Sequence, residues 1–174
     1  MVRQLPACLI RPFLATEWPA YREIRLRALA DAPQAFSTTL DTQQALAPEA
    51  WAARLGAAAA SGNDYPLLAE LQGQAVGLAW AKVDADDAGI VNLFQLWVAP
   101  GARGQGVAAA LLEAAIGWAR ARQAQALQLG VNCDNLAAIR LYQRSGFVDT
   151  GLREPFRPGS ALMEQRMRLA LNPA

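Results

Sequence analysis

The sequence predicts an α/β protein, a mixed β-sheet with helices on its faces, and three observations lead there. Apolar stretches with strand character come in immediate succession at "YPLLAEL" (65–71), "QAVGLAWAKV" (74–83) and "GIVNLFQLWV" (89–98), separated only by Gln72-Gly73 and an acidic loop at 84–87. Connections that short join antiparallel neighbours. A helical stretch at 104–123 then intervenes before a further strand, "ALQLGV" (126–131), so this strand and 90–98 should run parallel around a crossover helix. With 174 residues, 53% of them hydrophobic and 18% charged, the chain can bury one proper core, and a single domain spanning 1–174 is expected.

The remaining elements complete the pattern. "ACLIRPF" (7–13) reads as a strand in which Pro12 suits an edge or an end. Thr16 is placed to cap a helix running to Ala30, where Trp18, Tyr21, Ile24, Leu26 and Leu29 recur at roughly helical spacing. A short helical piece at 33–40 follows, and Pro48 opens another at 49–60 that Gly62 ends. Past the crossover, Asp134 or Asn135 caps a helix to Arg144, closed by Gly146; "FVDTG" (147–151) and "LMEQRMRLAL" (162–171) are the last strands, around Pro158-Gly159. The expected order is β-α-α-α-β-β-β-α-β-α-β-β.

Composition removes several classes of function. A formal net charge of +1 lacks the basic excess of a nucleic-acid binder. Arg11 and Pro12 interrupt the first apolar residues, and no later stretch approaches a membrane span, so a soluble cytoplasmic protein without nucleic-acid or membrane partners is expected. The sequence has no histidine, which removes the commonest general base, most zinc sites and the histidine-dependent triads. Cys8 and Cys133 form neither a disulfide framework nor a metal spacing and are expected to be small buried hydrophobes. No metal is called for.

The most informative stretch is "LWVAPGARGQGVAAALL" (96–112), an apolar strand entering a glycine-rich turn and a helix. Small residues let the backbone approach a ligand, and the helix start offers unpaired N–H groups and the positive end of its dipole. This suits a pyrophosphate, with Arg103 able to add a charge-assisted contact; glycines at such a turn also serve geometry alone. The turn lacks the Lys-Ser/Thr ending of a phosphate-binding loop. It also lacks an acidic residue near 125 to hold a ribose, which argues against a dinucleotide site.

Arg103, Gly106 and Ala108 meet the Gln/Arg-x-x-Gly-x-Gly/Ala pattern, and "NCDNLAAIRLYQRSGF" (132–147) follows with Asn135, Ala138, Leu141, Tyr142, Gly146 and Phe147 in an Asn-x-x-Ala-x-x-Leu-Tyr-x-x-x-Gly-Phe run. On these two motifs the chain resembles the GCN5-related N-acetyltransferase (GNAT) family of acyl-coenzyme A transferases. The resemblance implies a GNAT-like fold whose sheet splays between strands 90–98 and 126–131. It implies acetyl-CoA as cosubstrate, with pyrophosphate on the turn formed by Arg103, Gly104, Gln105, Gly106, Val107 and Ala108. Pantetheine would lie along Leu96, Trp97 and Val98, with the backbone near Val98 meeting the thioester carbonyl.

Acyl transfer to an amine needs a neutral amine, an oxyanion site and a proton for the departing thiolate. Backbone N–H groups can supply the second. Tyr142, a phenol protonated at neutral pH, can supply the third, as the matching tyrosine does in the family; without the motif it would read as a core residue. Asn135 suits the amide groups of the coenzyme and equally a helix cap. Asn132 carries the same ambiguity. The strand before the turn holds Asn92 and Gln95 where many relatives carry a glutamate, leaving Glu23, Asp31 and Glu70 as candidate bases, each also readable as a surface charge.

The acceptor walls implied by the resemblance are residues 26–39, Trp80 and the loop 154–160, with Asp31 or Glu154 placed to receive a cationic amine. Phe36, Trp97 and Phe156 read either as pocket aromatics or as core or lid residues. The function expected is transfer of an acetyl group to a primary amine of a small molecule or peptide by direct attack, since neither cysteine has a base to activate it. The rival is a non-catalytic acyl-CoA sensor on the same fold. Uncovered sheet edges make a homodimer plausible.

Overall fold

The computed structural model describes residues 7–171, and within them the elements follow the expected order. β1 (Cys8–Pro12) leads into α1 (Trp18–Asp31), α2 (Leu40–Gln44) and α3 (Pro48–Ser61). The meander β2 (Asp64–Leu71), β3 (Gln74–Val83) and β4 (Ile90–Val98) comes next. It is followed by α4 (Val107–Ala121), β5 (Ala126–Asn132), α5 (Leu136–Arg144), β6 (Val148–Pro155) and β7 (Met163–Ala170). The described strands form one sheet in the order β1-β2-β3-β4-β5-β7-β6. β4 and β5 pair parallel, as the intervening helix requires, and the other pairs are antiparallel. Pro12 ends β1 at the sheet edge, where its missing N–H removes no ladder bond on the open side.

Four local expectations need correction. Thr16 does not cap α1: it sits inside a 3-10 turn, Ala15–Glu17, and the Glu17 carboxylate reaches back to accept from the Leu14 N–H at 2.7 Å. The piece expected at 33–40 is instead a 3-10 turn at Pro33–Ala35 followed by the separate α2, whose Thr39 hydroxyl accepts from the Thr42 N–H. The crossover helix begins at Val107, not at Gly104, because Gly104 and Gly106 adopt left-handed φ values of 76° and 81° that no helix accommodates. Cys8 and Cys133 are only partly buried. Gly62, at φ 68°, ends α3 as expected.

Two apolar layers sandwich the sheet. On one face α4 and α5 cover Leu67, Val91, Leu127 and Met167; on the other, α1 and α3 cover Leu68, Leu78, Trp80 and Trp97. α4 lies so close to the sheet that a Cβ on Gly77 of β3 would stand 3.0 Å from the Trp97 carbonyl and 3.1 Å from the Leu111 side chain. Leu111 is fully buried at that contact. Leu111→Ala should therefore cost about 2–5 kcal/mol, read as a shift in the urea midpoint at constant slope.

Candidate active site

β4 and β5 pair only over Ile90, Val91 and Asn92 against Ala126, Leu127 and Gln128, and beyond that they separate. The cause lies in β4. Its register with β3 shifts between Leu78 and Trp80, where Gln95 adopts a left-handed φ of 62°. A bulge bends its strand, and a non-glycine residue in that conformation costs on the order of 1–2 kcal/mol. The Tyr21 hydroxyl donates to Gln95 Oε1 at 2.8 Å, holding the bulged residue from the helical layer above. The result is a cavity of about 640 Å3 at the splay, lined by residues from the helical layers on both faces of the sheet.

At one end of β4 the strand delivers the glycine turn. The Ala99 N–H donates to the Val76 carbonyl on β3 at 2.7 Å, so strand alternation turns the Val98 N–H and carbonyl to the opposite edge, the one β5 has left. That carbonyl accepts from Arg103 Nε at 3.0 Å. After a 3-10 turn at Pro100–Ala102, Gly104 and Gly106 face open space, with nothing within 4 Å of a Cβ built on either. The first amides of α4, from Val107 through Ala109, have no carbonyl one turn earlier in the helix to accept from them. The cradle fits a pyrophosphate. Gly106→Ala should lose about 1–2 kcal/mol of stability through its positive φ. Gly106→Arg would also fill the open approach, and calorimetry should show coenzyme binding abolished.

The Arg103 side chain is differently placed than expected. Its guanidinium pairs with Asp31 at the end of α1, and the Trp97 indole N–H donates to the same carboxylate at 2.9 Å. These two donors, the indole first, hold Asp31 below the usual carboxylate range. Arg103 therefore braces the turn against α1, and a bound phosphate would compete with Asp31 for it. Leu96 lines the cavity, whereas the Trp97 ring packs among the residues under α1, so any contribution of Trp97 and Val98 is by backbone.

Tyr142 lies on the cavity wall, buried on α5 with its ring 5.7 Å from that of Phe147. Among the described residues no partner meets its hydroxyl, and burial pushes its pKa well above the ordinary phenol value. Asn135 serves as the cap, its Oδ1 accepting from the Ala138 N–H at 3.2 Å, and the residue also lines the cavity. Asn132 is spent within the fold, donating to the Gln34 carbonyl and accepting from the Asp134 N–H.

The carboxylates singled out in the sequence lie elsewhere. Glu23 is exposed on a separate shallow groove, Glu70 pairs with Arg11 at 2.7 Å, and Asp31 is occupied. Glu154, expected to receive a cationic amine, pairs with Arg166 at 3.6 Å. Trp80 is no acceptor wall: it is buried, donating to Asp64 at 2.8 Å. Asn92 binds Asp84 at 2.8 Å. The loops do meet over the cavity, where Arg157 donates to the carbonyls of Pro33, Phe36 and Ser37, bringing Phe36 and Phe156 to the wall.

Two cavity residues escaped the sequence reading. Glu164 on β7 stands opposite Asn132 in the ladder and lays its carboxylate over Gly130, 2.8 Å from where a Cβ would be. Burial first, and then Glu154, raise its pKa above the ordinary glutamate value, with Arg166 pulling the other way. Arg25 on α1 is 4% exposed and also lines the cavity. Its signal was available: Tyr21, Ile24, Arg25, Ala28 and Leu29 are the buried residues of α1, and their i, i+3, i+4, i+7, i+8 spacing puts an arginine in the apolar stripe.

Known proteins match this geometry. A sequence model of the acetyltransferase (GNAT) family matches residues 18–147. A mycothiol acetyltransferase from Renibacterium salmoninarum is 30% identical over 131 residues, covering 74% of this chain and 36% of that protein. The chain thus spans little more than a third of that curated relative's length. A GNAT-family acetyltransferase from Streptococcus pneumoniae superposes with a TM-score of 0.83 at 27% identity, over 95% of this chain and 100% of the other. A ribosomal-protein-alanine N-acetyltransferase from Brucella melitensis does so with a TM-score of 0.76 at 28% identity, over 94% and 99%. With the splayed β4–β5 pair, the left-handed glycine turn and this match through both motifs, the chain belongs to the GNAT family of acetyltransferases.

Proposed function

We propose that the chain is an N-acetyltransferase that moves an acetyl group from acetyl-CoA to a primary amine of a small molecule or peptide, by direct attack in a ternary complex. The observation that carries this reading is the single cavity through the β4–β5 splay, walled by Tyr142 on one side of the sheet and by Glu164 on the other. The names of the similar proteins, a mycothiol acetyltransferase and a ribosomal-protein-alanine N-acetyltransferase, support the reaction class. Acetyl-CoA, when bound, supplies a thioester carbonyl activated for attack.

The chain's own groups supply the rest. Amides of the Gly104, Gln105, Gly106, Val107 and Ala108 turn hold the pyrophosphate, with Leu96, the edge of β4 and the Asn135 amide along the pantetheine. The Val98 N–H, facing the gap left by β5, donates to the thioester oxygen as negative charge develops there. Glu164 accepts a proton from the incoming amine at a carboxylate oxygen, the base that β4 lacks. Tyr142 Oη donates a hydrogen bond to the departing sulfur. Because burial makes its phenolate costly, the hydroxyl stabilises the thiolate mainly as a hydrogen-bond donor, and the sulfur takes its final proton from solvent after release. Direct attack follows because neither Cys8 nor Cys133 borders the cavity.

Glu164 answers the feature that favoured a sensor, the missing strand carboxylate. Among the described residues no helix is long and apolar enough to cross a membrane. Open edges at β1 and β6 leave room in this reading for a homodimer. Thiol release from acetyl-CoA across an amine panel, with calorimetric binding of the coenzyme in parallel, tests the function. Amine-dependent release is expected; tight binding without release on any amine would move the protein to the sensor class.

A further inference from the structure

Arg25 is a buried cation without a counter-ion. Its Nε and Nη1 are both sealed from solvent and make no hydrogen bond. No described carboxylate pairs with it. The charged or titratable groups that act on it are Tyr21, whose hydroxyl is committed to Gln95, and Arg54, which repels it. Its guanidinium lies 4.5 Å from the centroid of the Phe36 ring, a contact that orients the plane but leaves the in-plane donors unused. Burial pulls its pKa down to about 10, so the cation persists at neutral pH. Arg54 lines the same wall and spends one donor on Gln43 at 3.0 Å.

An unpaired buried charge is among the more destabilising features a fold can carry, and a purely structural site would hold an apolar residue here. The cost is met when a ligand brings the missing charge: with Nε and Nη1 sealed, Nη2 is the nitrogen left to donate a charge-assisted hydrogen bond to a carboxylate in the cavity. Arg25 and Glu164 line the same cavity, so its wall offers a cationic and an anionic group to one ligand. We propose that Arg25, assisted by Arg54, forms a carboxylate-recognition subsite, and that the acceptor is an amine that also carries a carboxylate, as free amino acids do. The amine half of this rests on the transferase reading above; the carboxylate half rests on Arg25 alone.

The test compares leucine, phenylalanine and methionine with their α-amides and with the corresponding decarboxylated amines, scored by thiol release from acetyl-CoA. For the preferred side chain, kcat/KM should favour the acid over its amide by about 10- to 100-fold, the worth of a hydrogen bond to a charged group. In Arg25→Met that ratio should collapse to within about three-fold, while the melting temperature rises because a buried orphan charge is gone. Equal kcat/KM for acid and amide in the wild type would overturn the proposal. So would a preference that survives Arg25→Met, or a lower melting temperature with the preference intact, which marks a structural arginine. Thermal shift with the same acids at saturating coenzyme A, wild type against Arg25→Met, reads the subsite without turnover. If no amine releases thiol, the transferase reading fails, and stabilisation by acids that vanishes in Arg25→Met still decides the subsite.

Discussion

Tyr142→Phe should lower kcat by about 100-fold or more while leaving the affinity for acetyl-CoA within a few-fold. The ring is buried against Phe147, and phenylalanine keeps that packing, so the variant should fold with nearly the same melting temperature. Only the hydroxyl is lost, and no described residue depends on it for a hydrogen bond. The loss falls on the step where charge builds on sulfur. Burial holds the phenol above its ordinary pKa of about 10, so Tyr142 should contribute no basic limb to the kcat profile below that pH. A kcat unchanged in the variant would remove Tyr142 from the reaction. A basic limb near pH 8 that disappears with the hydroxyl would instead show that coenzyme binding makes the phenol a true acid.

What the sequence made legible is what local chemistry encodes. Strand alternation, short turns and the 104–123 helical stretch gave the element order, but not the start of α4, which Gly104 and Gly106 delay to Val107 by adopting left-handed φ values. Tyr142 was legible because motif and helix periodicity agree on it. Glu164 was not, since its position depends on β7 inserting between β5 and β6, so that a residue 32 positions after Asn132 becomes its cross-strand partner. Nothing in "MEQRMRL" states which strand it will pair with. Asp31 failed as a base for the reverse reason: a sequence shows a carboxylate, but not that Trp97 and Arg103 converge on it from β4 and the turn. Arg25 lay between these cases, visible in the apolar stripe of α1 yet easily taken for a surface residue until its depth is known.

Glu164→Gln should carry the largest pH-dependent effect. In the wild type, the ionised carboxylate takes the proton from the bound ammonium, so the acid limb of kcat/KM follows Glu164 itself, above the ordinary glutamate value because burial and Glu154 raise it. Activity falls as pH drops through that limb. Glutamine cannot accept the proton, so only free amine that is already neutral reacts, and the limb moves up to the acceptor's own pKa, between about 8 and 10. At pH 7 the variant should be slower by roughly 10- to 1000-fold according to the amine, recovering toward the wild-type rate at high pH. A raised KM with the acid limb unmoved would reduce Glu164 to a binding contact for the ammonium. Glu154→Gln sharpens the distinction: it removes the like charge that raises Glu164 and frees Arg166 from its 3.6 Å pair, and both changes favour the ionised carboxylate. The wild-type limb should then shift to lower pH with kcat at neutral pH little changed, a displacement that follows only if the titrating group is Glu164.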